Sequence, residues 1–475
     1  MAGWTDLPGL IAAERTQLIE EGIEPAAADR AAAEAMRRAE RGADERDVWA
    51  AFADLPPRAD FQFDEPSDLA GIRSRRNGAS RRWSLDLDEQ ALLDKLHGAW
   101  LGRCVGCALG KPVEGFMSAR DGVASWQRQK EYLSAISPEE WPLRDYFPAR
   151  SPAEERVGRT SCPASTREQI AFMESDDDIR YTVLGQLILR RFGPGFCSTH
   201  VAQTWMDQLP YRYVCTAEMQ AYRNLVIACD HLRPELDAAA AAEWDRKTDW
   251  RWITHHLNPY REWIGAQIRV DSYGYAAAGD PELAAELAWR DARISHVKNG
   301  IYGAMFCAAM IAAAFATDDP LEIVEAGLAE IPATSRLHAE MRQVIDLCAR
   351  WDNDFTHFES MLADLYALLG HYHPVHTNNN AGLCAAAVLM SGGDFHKGIT
   401  LAVMGGWDTD CNGATVGSIV GAIAGARRAP SHWTSRLNDT LNSLIINYHP
   451  IAISQCARQS LETVRAAQAM RGKGA

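Results

Sequence analysis

No apolar run in this sequence reaches the 18 or so residues that a membrane-spanning helix needs. The longest candidates, Tyr302–Ala316 and Ala414–Ala426, are rich in alanine or glycine. The opening stretch MAGWTDLPGL has no basic segment followed by an apolar core, so no secretory signal is expected. A dense cysteine framework is also missing. Eleven cysteines, an odd number, are scattered thinly over the chain, which fits reduced thiols in a cytoplasmic protein better than disulfides. Positive charge is in short supply: Lys+Arg total 48 against 63 Asp+Glu, for a net charge of −15. Such a surface excludes a non-specific nucleic-acid binder, which must neutralise phosphates, although a local basic patch for an anionic ligand remains allowed. Strand-like alternation is nearly absent, which excludes a doubly wound sheet, and no repeat of 20–50 residues is visible.

What remains is helix. With 475 residues, 47% hydrophobic and 23% charged, the chain can bury a large core. Apolar residues recur at helical spacing in DEQALLDKLHGAWLG, YTVLGQLILRRF, PELAAELAWRDARISH, IYGAMFCAAMIAAAFA, LHAEMRQVIDLCARW and SRLNDTLNSLIINY. Residues 1–85 differ in character. AAADRAAAEAMRRAERGADERD predicts a helix with a charged face, Leu55-Pro56-Pro57 breaks it, and Gly71–Arg82 reads as a basic linker. We place a boundary near residue 85, with a helical extension or partner-docking arm before it and one domain, 86–475, after it. Gly413, Gly417, Gly421 and Gly425 fall every fourth position on one helix face, a pattern that lets backbones approach closely.

Three segments carry chemistry. In the first, Glu174-Ser175-Asp176-Asp177-Asp178 opens a predicted helix. Capping explains one or two acids there, but three in succession repel one another unless a cation intervenes. In the second, Gly405-Gly406-Trp407-Asp408-Thr409-Asp410-Cys411-Asn412-Gly413 precedes the glycine-rich helix, with Asp408 and Asp410 alternating. An N-cap and an Asx-turn are the plainer explanation. Together, two all-oxygen clusters at two helix starts suit Mg²⁺, Mn²⁺ or Ca²⁺ rather than zinc, and suggest two ions. In the third, a glycine-punctuated helix, Gly98 to Gly110, ends at Lys111-Pro112-Val113-Glu114-Gly115. Glu114 is either a solvent-facing residue after a cap or a carboxylate placed over the metals. His371, His373 and His376 are spaced closely enough for zinc but lack a Cys or Glu partner, so a substrate-facing loop is the better reading. The lone Cys104-x-x-Cys107 reads as packing.

These segments and their order resemble the ADP-ribosylglycohydrolase family: GCALGKPVEG (Gly106–Gly115), DDDI (Asp176–Ile179) followed by Thr182, and GWDTDCN (Gly406–Asn412) before a glycine-rich helix. Pro281–Phe315 is similar to the family's central helix pair, and the likeness covers roughly residues 88–430. The resemblance implies an all-α, orthogonal multi-helix bundle with a dinuclear Mg²⁺ centre, Mn²⁺ being an alternative. It implies metal ligation by Asp176, Asp177 and Asp178 on one side and Asp408 and Asp410 on the other, with Cys411 at a ligand position. Glu114 matches a glutamate that accepts or relays a proton, so Glu114, Asp177 and Asp408 are the expected catalytic groups. The family's phosphate-loop position corresponds to Gln267–Tyr275, where Arg269, Ser272, Tyr273 and Gly274 are the substrate-binding candidates, together with His296, Tyr302 and Trp407. We place His296 and Asn299 at the end of one helix, before a turn at Gly300–Tyr302.

Departures stand beside the likeness. Cys107 replaces an aspartate, Cys411 replaces a Thr or Ser, Trp407 replaces a glycine, and the glycine-asparagine-glycine loop is absent in that form. A soft thiol is a poor Mg²⁺ ligand. The implied activity is hydrolysis of an N- or O-glycosidic bond at ribose C1, most simply removal of ADP-ribose from an acceptor, through an oxocarbenium-like transition state. The altered loop favours a small nucleoside- or nucleotide-like substrate somewhat. The replaced residues keep open a catalytically silent binding or structural member.

Overall fold

The computed structural model describes residues 4–78, 80–228 and 237–472. As expected, the fold is all-α. Among the described residues the only sheet is a two-stranded antiparallel ribbon, β1 (Thr440–Leu441) with β2 (Ile451–Ala452), in which Thr440 faces Ala452 and Leu441 faces Ile451. The helices that position the site are α1 (Leu7–Glu20), α2 (Pro25–Glu40), α3 (Glu89–Gly110), α4 (Asp177–Phe192), α5 (Asp271–Ala276), α6 (Pro281–Ala292), α7 (Lys298–Ala313), α8 (Thr377–Ser391), α9 (Thr409–Ala424) and α10 (Ile453–Gly472).

At the centre, α3 and α9 run antiparallel, and each turns its glycine stripe to the other. A Cβ on Gly102 would sit 2.0 Å from the Gly417 carbonyl oxygen, and one on Gly106 would sit 1.9 Å from that of Gly413. Both distances are far inside van der Waals contact, so only glycine lets the two backbones meet. This close approach outweighs the helix-propensity cost of glycine, about 1 kcal/mol each. It also fixes the register. The Thr409 hydroxyl donates to the Gly110 carbonyl at 2.8 Å, so the end of α3 lies against the start of α9. Around this pair α6, α7, α8 and α10 close a continuous apolar core that includes Trp100, Leu109, Ile188, Phe306, Val388 and Ile419.

Two local expectations change. SRLNDTLNSLIINY is not a helix: it gives a short 3-10 turn at Ser435–Leu437, then β1 and a loop. Asn438 and Asp439 adopt left-handed backbone conformations (φ 47° and 49°), as do Leu444 and Asn447, and these stop a helix whatever the apolar spacing. Asn299 and Gly300–Tyr302 do not form a turn. The helix containing Trp289 ends at Ala292, and these residues lie in the first turns of α7. A positive φ at Lys298 (44°) makes the corner one residue earlier.

The N-terminal segment builds its own small core from Leu10, Ile11, Leu18, Ala28, Val48, Trp49 and Phe52, which packs onto Leu257 and Tyr260. Polar side chains seal the seam. Arg261 pairs with Glu14 at 2.6 Å and Glu21 at 2.7 Å, while Arg336 pairs with Glu65 at 2.9 Å and Glu262 at 2.7 Å. The basic stretch read as a linker is docked: Leu69–Ser74 is helical, Arg73 pairs with Glu286, and Arg76 pairs with Glu330 at 2.8 Å. Ala79 lies outside the described residues. No helix among the described residues is long and apolar enough to cross a membrane.

Candidate metal centre

The end of α3, the start of α4 and the start of α9 converge. Each brings acids for a local reason. Asp176 caps α4, its carboxylate accepting the Asp178 N–H at 3.1 Å, which sets Asp177 and Asp178 in the first turn. Asp408 occupies the N-cap position of α9 without a side-chain capping bond, and Asp410 lies in that helix's first turn. Beyond Gly110 the chain tightens into a 3-10 turn, Lys111–Phe116, that carries Glu114. Ligand atoms of Glu114, Asp408 and Asp410 lie within 4.8 Å of one another, as do those of Asp176, Asp177 and Asp178. The sets Cys107–Asp176–Asp410 and Asp178–Asp410–Cys411 meet the same limit, so Asp410 joins both sides. Asp176, Asp178, Asp408 and Asp410 are buried, whereas Glu114 and Asp177 keep partial access to solvent.

Few cations offset this charge. Lys111 Nζ lies 2.8 Å from Asp176 Oδ2. Arg103, fully buried on α3, lies 3.2 Å from Asp178 and 2.9 Å from Asp271, and also donates to the Ile268 carbonyl at 2.7 Å. The electrostatic consequence is graded. Burial works to raise Asp176, but the ammonium of Lys111 outweighs it and holds the group at about 2. Asp177 is pushed up to about 6 by burial and by Asp176. Asp410 is pushed to about 7, again by burial first and then by Asp176 and Asp177. Glu114 rises to about 9, chiefly because it faces Asp410. Burial drives Asp178 and Asp408 well above the usual carboxylate range. Asp408 Oδ1 and Asp410 Oδ1 are buried with no hydrogen-bond partner. Orphaned hard oxygens among mutually repelling carboxylates are what a divalent cation satisfies, so the residues fit a metal site.

A second ring of contacts holds the acids in place. Asn380 on α8 accepts the Asp408 N–H at 3.2 Å and the Asn412 side-chain amide at 2.8 Å, and so fixes the second aspartate loop. Lys111 and Arg103 sit inside the quoted glycine motif, yet helical spacing does not reveal that each turns to a carboxylate. Trp407 stacks on Tyr366 (ring centroids 4.3 Å apart, 15° between planes) and has φ 51°, a left-handed strain immediately before Asp408.

The other substrate candidates are not brought to the acids. Arg269 is buried, with its guanidinium held by Asp291 at 2.5 Å and Glu218 at 2.8 Å. The Tyr273 hydroxyl donates to Asp291 at 2.8 Å, and Ser272 donates to the Thr182 carbonyl at 2.7 Å. Gly274 packs on Ile311, and Tyr302 donates to the Pro66 carbonyl at 2.5 Å. His296 is buried and borders a different space, a cavity of about 1080 Å³ between the N-terminal segment and residues 249–301, walled by Trp49, Phe52, Trp252 and Trp289. Of the histidine triplet only His376 is buried; His371 and His373 are exposed. His373 stacks on Trp263, and His376 stacks on Tyr372.

Comparison with known proteins identifies the family. The family model described as ADP-ribosylglycohydrolase matches residues 88–466. Among solved structures, a chain described as an ADP-ribosylglycohydrolase-related protein complex is similar at 17% identity and TM-score 0.48, covering 80% of this chain and 99% of that one. No curated protein matches. The chain belongs to the ADP-ribosylglycohydrolase family, and residues 4–78 precede the matched span.

Proposed function

We propose that this member of the ADP-ribosylglycohydrolase family is a metal-dependent hydrolase that cleaves the N- or O-glycosidic bond at ribose C1, removing ADP-ribose from an acceptor. The observation that carries the reading is the pair of partner-free buried oxygens, Asp408 Oδ1 and Asp410 Oδ1, below two solvent-accessible carboxylates, Glu114 and Asp177. Asp176, Asp177, Asp178, Asp408 and Asp410 would hold Mg²⁺ or Mn²⁺, in a two-ion arrangement. When bound, such ions supply positive charge that fixes the ribose hydroxyls and a water near C1. Glu114, partly exposed and within 4.8 Å of ligand atoms of Asp408 and Asp410, exchanges a proton with water or with the leaving group. Asp177, which also keeps partial access to solvent, orients the sugar. Asn380 and the strained Trp407 keep the Asp408 loop rigid, so that little reorganisation accompanies the reaction.

One observation favours a smaller substrate. The polar atoms of Arg269, Ser272 and Tyr273 are engaged inside the protein, so this stretch offers no free cradle for a diphosphate. A ribosyl compound without the diphosphate is therefore the second reading. The test is release of free ADP-ribose from an ADP-ribosylated protein, run beside release of base from ribonucleosides, each with added Mg²⁺ or Mn²⁺ and with chelator. Metal-dependent release that disappears in Asp177→Asn and Asp408→Asn supports the proposal. Full activity in either variant, or activity indifferent to chelator, sinks it.

A further inference from the structure

The cavity that His296 borders is separate from the acidic centre: none of the six carboxylates there lines it. One wall is drawn from residues 14–68 of the N-terminal segment, which precede the span shared with the family, and the other from residues 249–301. Indoles bridge the two walls in both directions. Trp49 of the segment donates its Nε1–H to the His255 carbonyl at 2.9 Å, and Trp289 of the opposite wall donates to the Ser67 carbonyl at 2.9 Å. These bonds pin the rings and engage their polar edges, so what they offer a ligand is hydrocarbon. Further aromatic surface in the walls is not sunk in the core. Phe63 is 36% exposed and lies against the half-buried Phe61, 5.4 Å between ring centroids, and Trp252 is half-buried, stacked on His256.

The charges in these walls are already paired. Arg261 holds Glu14 and Glu21, Lys298 also takes Glu21, Glu65 belongs to Arg336, and Asp64 to Arg75. Arg293 lies 3.0 Å from Asp245 and sets its guanidinium over Trp289, 4.7 Å from the ring centroid. Burial holds His255 down at about 4 and lowers His256 and His296, so these imidazoles carry no charge at neutral pH. The remaining charges, Arg46 and Arg251 against Asp54, Asp68 and Asp249, are solvent-exposed and of both signs. An ionic ligand would therefore lose hydration here without gaining a countercharge. A flat apolar ring loses little water and gains the aromatic walls. The volume, about 1080 Å³, lies at the upper end for small-molecule sites, which reach about 1,000 Å³. We propose that this cavity binds an uncharged aromatic small molecule, and that the N-terminal segment, by docking onto the rest of the chain, completes the site.

The experiment is equilibrium dialysis of the full-length chain at pH 7 against three probes of one shape: 2-naphthol, which is uncharged, 2-naphthoate, an anion, and 2-naphthylmethylammonium, a cation. The expected result is one equivalent of 2-naphthol bound per chain, with the anion and the cation each at least about tenfold weaker. Trp252→Ala removes aromatic surface from one wall, and Phe63→Glu adds a charge to the other. Each should weaken 2-naphthol binding at least about tenfold, with urea unfolding of the variant used to verify that it is folded. The comparison of the three probes on the wild-type chain stands whether or not either variant folds. No saturable binding of 2-naphthol below about 1 mM overturns the proposal. So does binding that neither folded variant weakens, which places the probe elsewhere, or an anion or cation that binds as tightly as 2-naphthol.

Discussion

Two buried clusters of charge lie in this molecule, and they are built to opposite rules. At the seam with the N-terminal segment, carboxylates meet cations. Glu14 and Glu21 share Arg261, Glu21 also takes Lys298 at 2.6 Å, and Glu65 and Glu262 share Arg336. Gln17 and Asn299 add hydrogen bonds to Glu262 at 2.8 and 2.9 Å. Glu262 is accordingly held down at about 2, the cations outweighing its burial. At the acidic centre six carboxylates face Lys111, Arg180 and a fraction of Arg103, and most of them are pushed upward. The same residue types therefore do different work. A satisfied network locks two parts of a fold together, whereas an unsatisfied one waits for a ligand.

The sharpest way to break this contrast is to remove one acid from the centre. Asp410→Asn should lower hydrolysis by more than about a thousandfold, because it takes away the carboxylate common to both sides of the proposed metal site. The chelator-treated variant should be at least as stable to urea as the chelator-treated wild type, since a repulsive buried charge has gone. Retained turnover, or a marked loss of stability without metal, would show that the centre is a structural network like the seam.

The reverse experiment belongs at the seam. Arg336→Met strands Glu65 and Glu262 in the interior and should cost about 3–5 kcal/mol in urea unfolding. A loss below about 1 kcal/mol would mean that the seam's ion pairs are exchangeable for apolar packing. The two clusters should also separate by ligand. Divalent cation at a hundred times its dissociation constant should add about 2.7 kcal/mol of stability to wild type for each site it fills. The same gain should persist in Arg336→Met and be absent in Asp410→Asn. Thermal scans with and without chelator measure all three.

How much of this was legible in the sequence follows from the range of each interaction. The acids of the centre could be read because each caps or opens a helix, a local feature, and the glycine stripes could be read because their period is local too. The fold class and the family followed from those motifs in order. The engagement of Arg269 by Glu218, 51 residues away, could not be read, because nothing near Arg269 in the chain predicts its partner. Neither could the docking of residues 4–78. Their charged helix face looks solvated, and only the structure matches Glu14 to Arg261, 247 positions later. The segment at 435–448 misled because its apolar spacing is helical, while Asn438 and Asp439 take left-handed conformations that spacing does not encode.

The seam has one member that breaks its own rule, and it gives the finest test of the comparison. Glu20, at the end of α1, has no guanidinium of its own. Burial, reinforced by the neighbouring Glu262, raises it to about 7. Its nearest basic group is His376, with Oε2 and Nε2 3.7 Å apart, but burial holds that imidazole down at about 3. Between the ordinary glutamate value of 4.5 and about 7, both groups are neutral in the folded chain, while the glutamate of the unfolded chain is ionised. At Glu20 itself the folded state then binds one more proton than the unfolded state, so this group's contribution to stability is full below 4.5 and fades as pH rises through about 7; His376, protonated below 6.5 only in the unfolded chain, contributes an opposite slope that is common to wild type and variant. Glu20→Gln, which keeps the shape and removes the titration, should flatten that decline and leave the variant more stable than wild type at pH 8 by about 1 kcal/mol, once partial solvent access is allowed for. Urea unfolding at pH 5 and pH 8, in chelator so that the acidic centre contributes equally to both proteins, reads the difference. An unchanged slope would mean that Glu20 finds a cation in solution and obeys the rule of the seam after all.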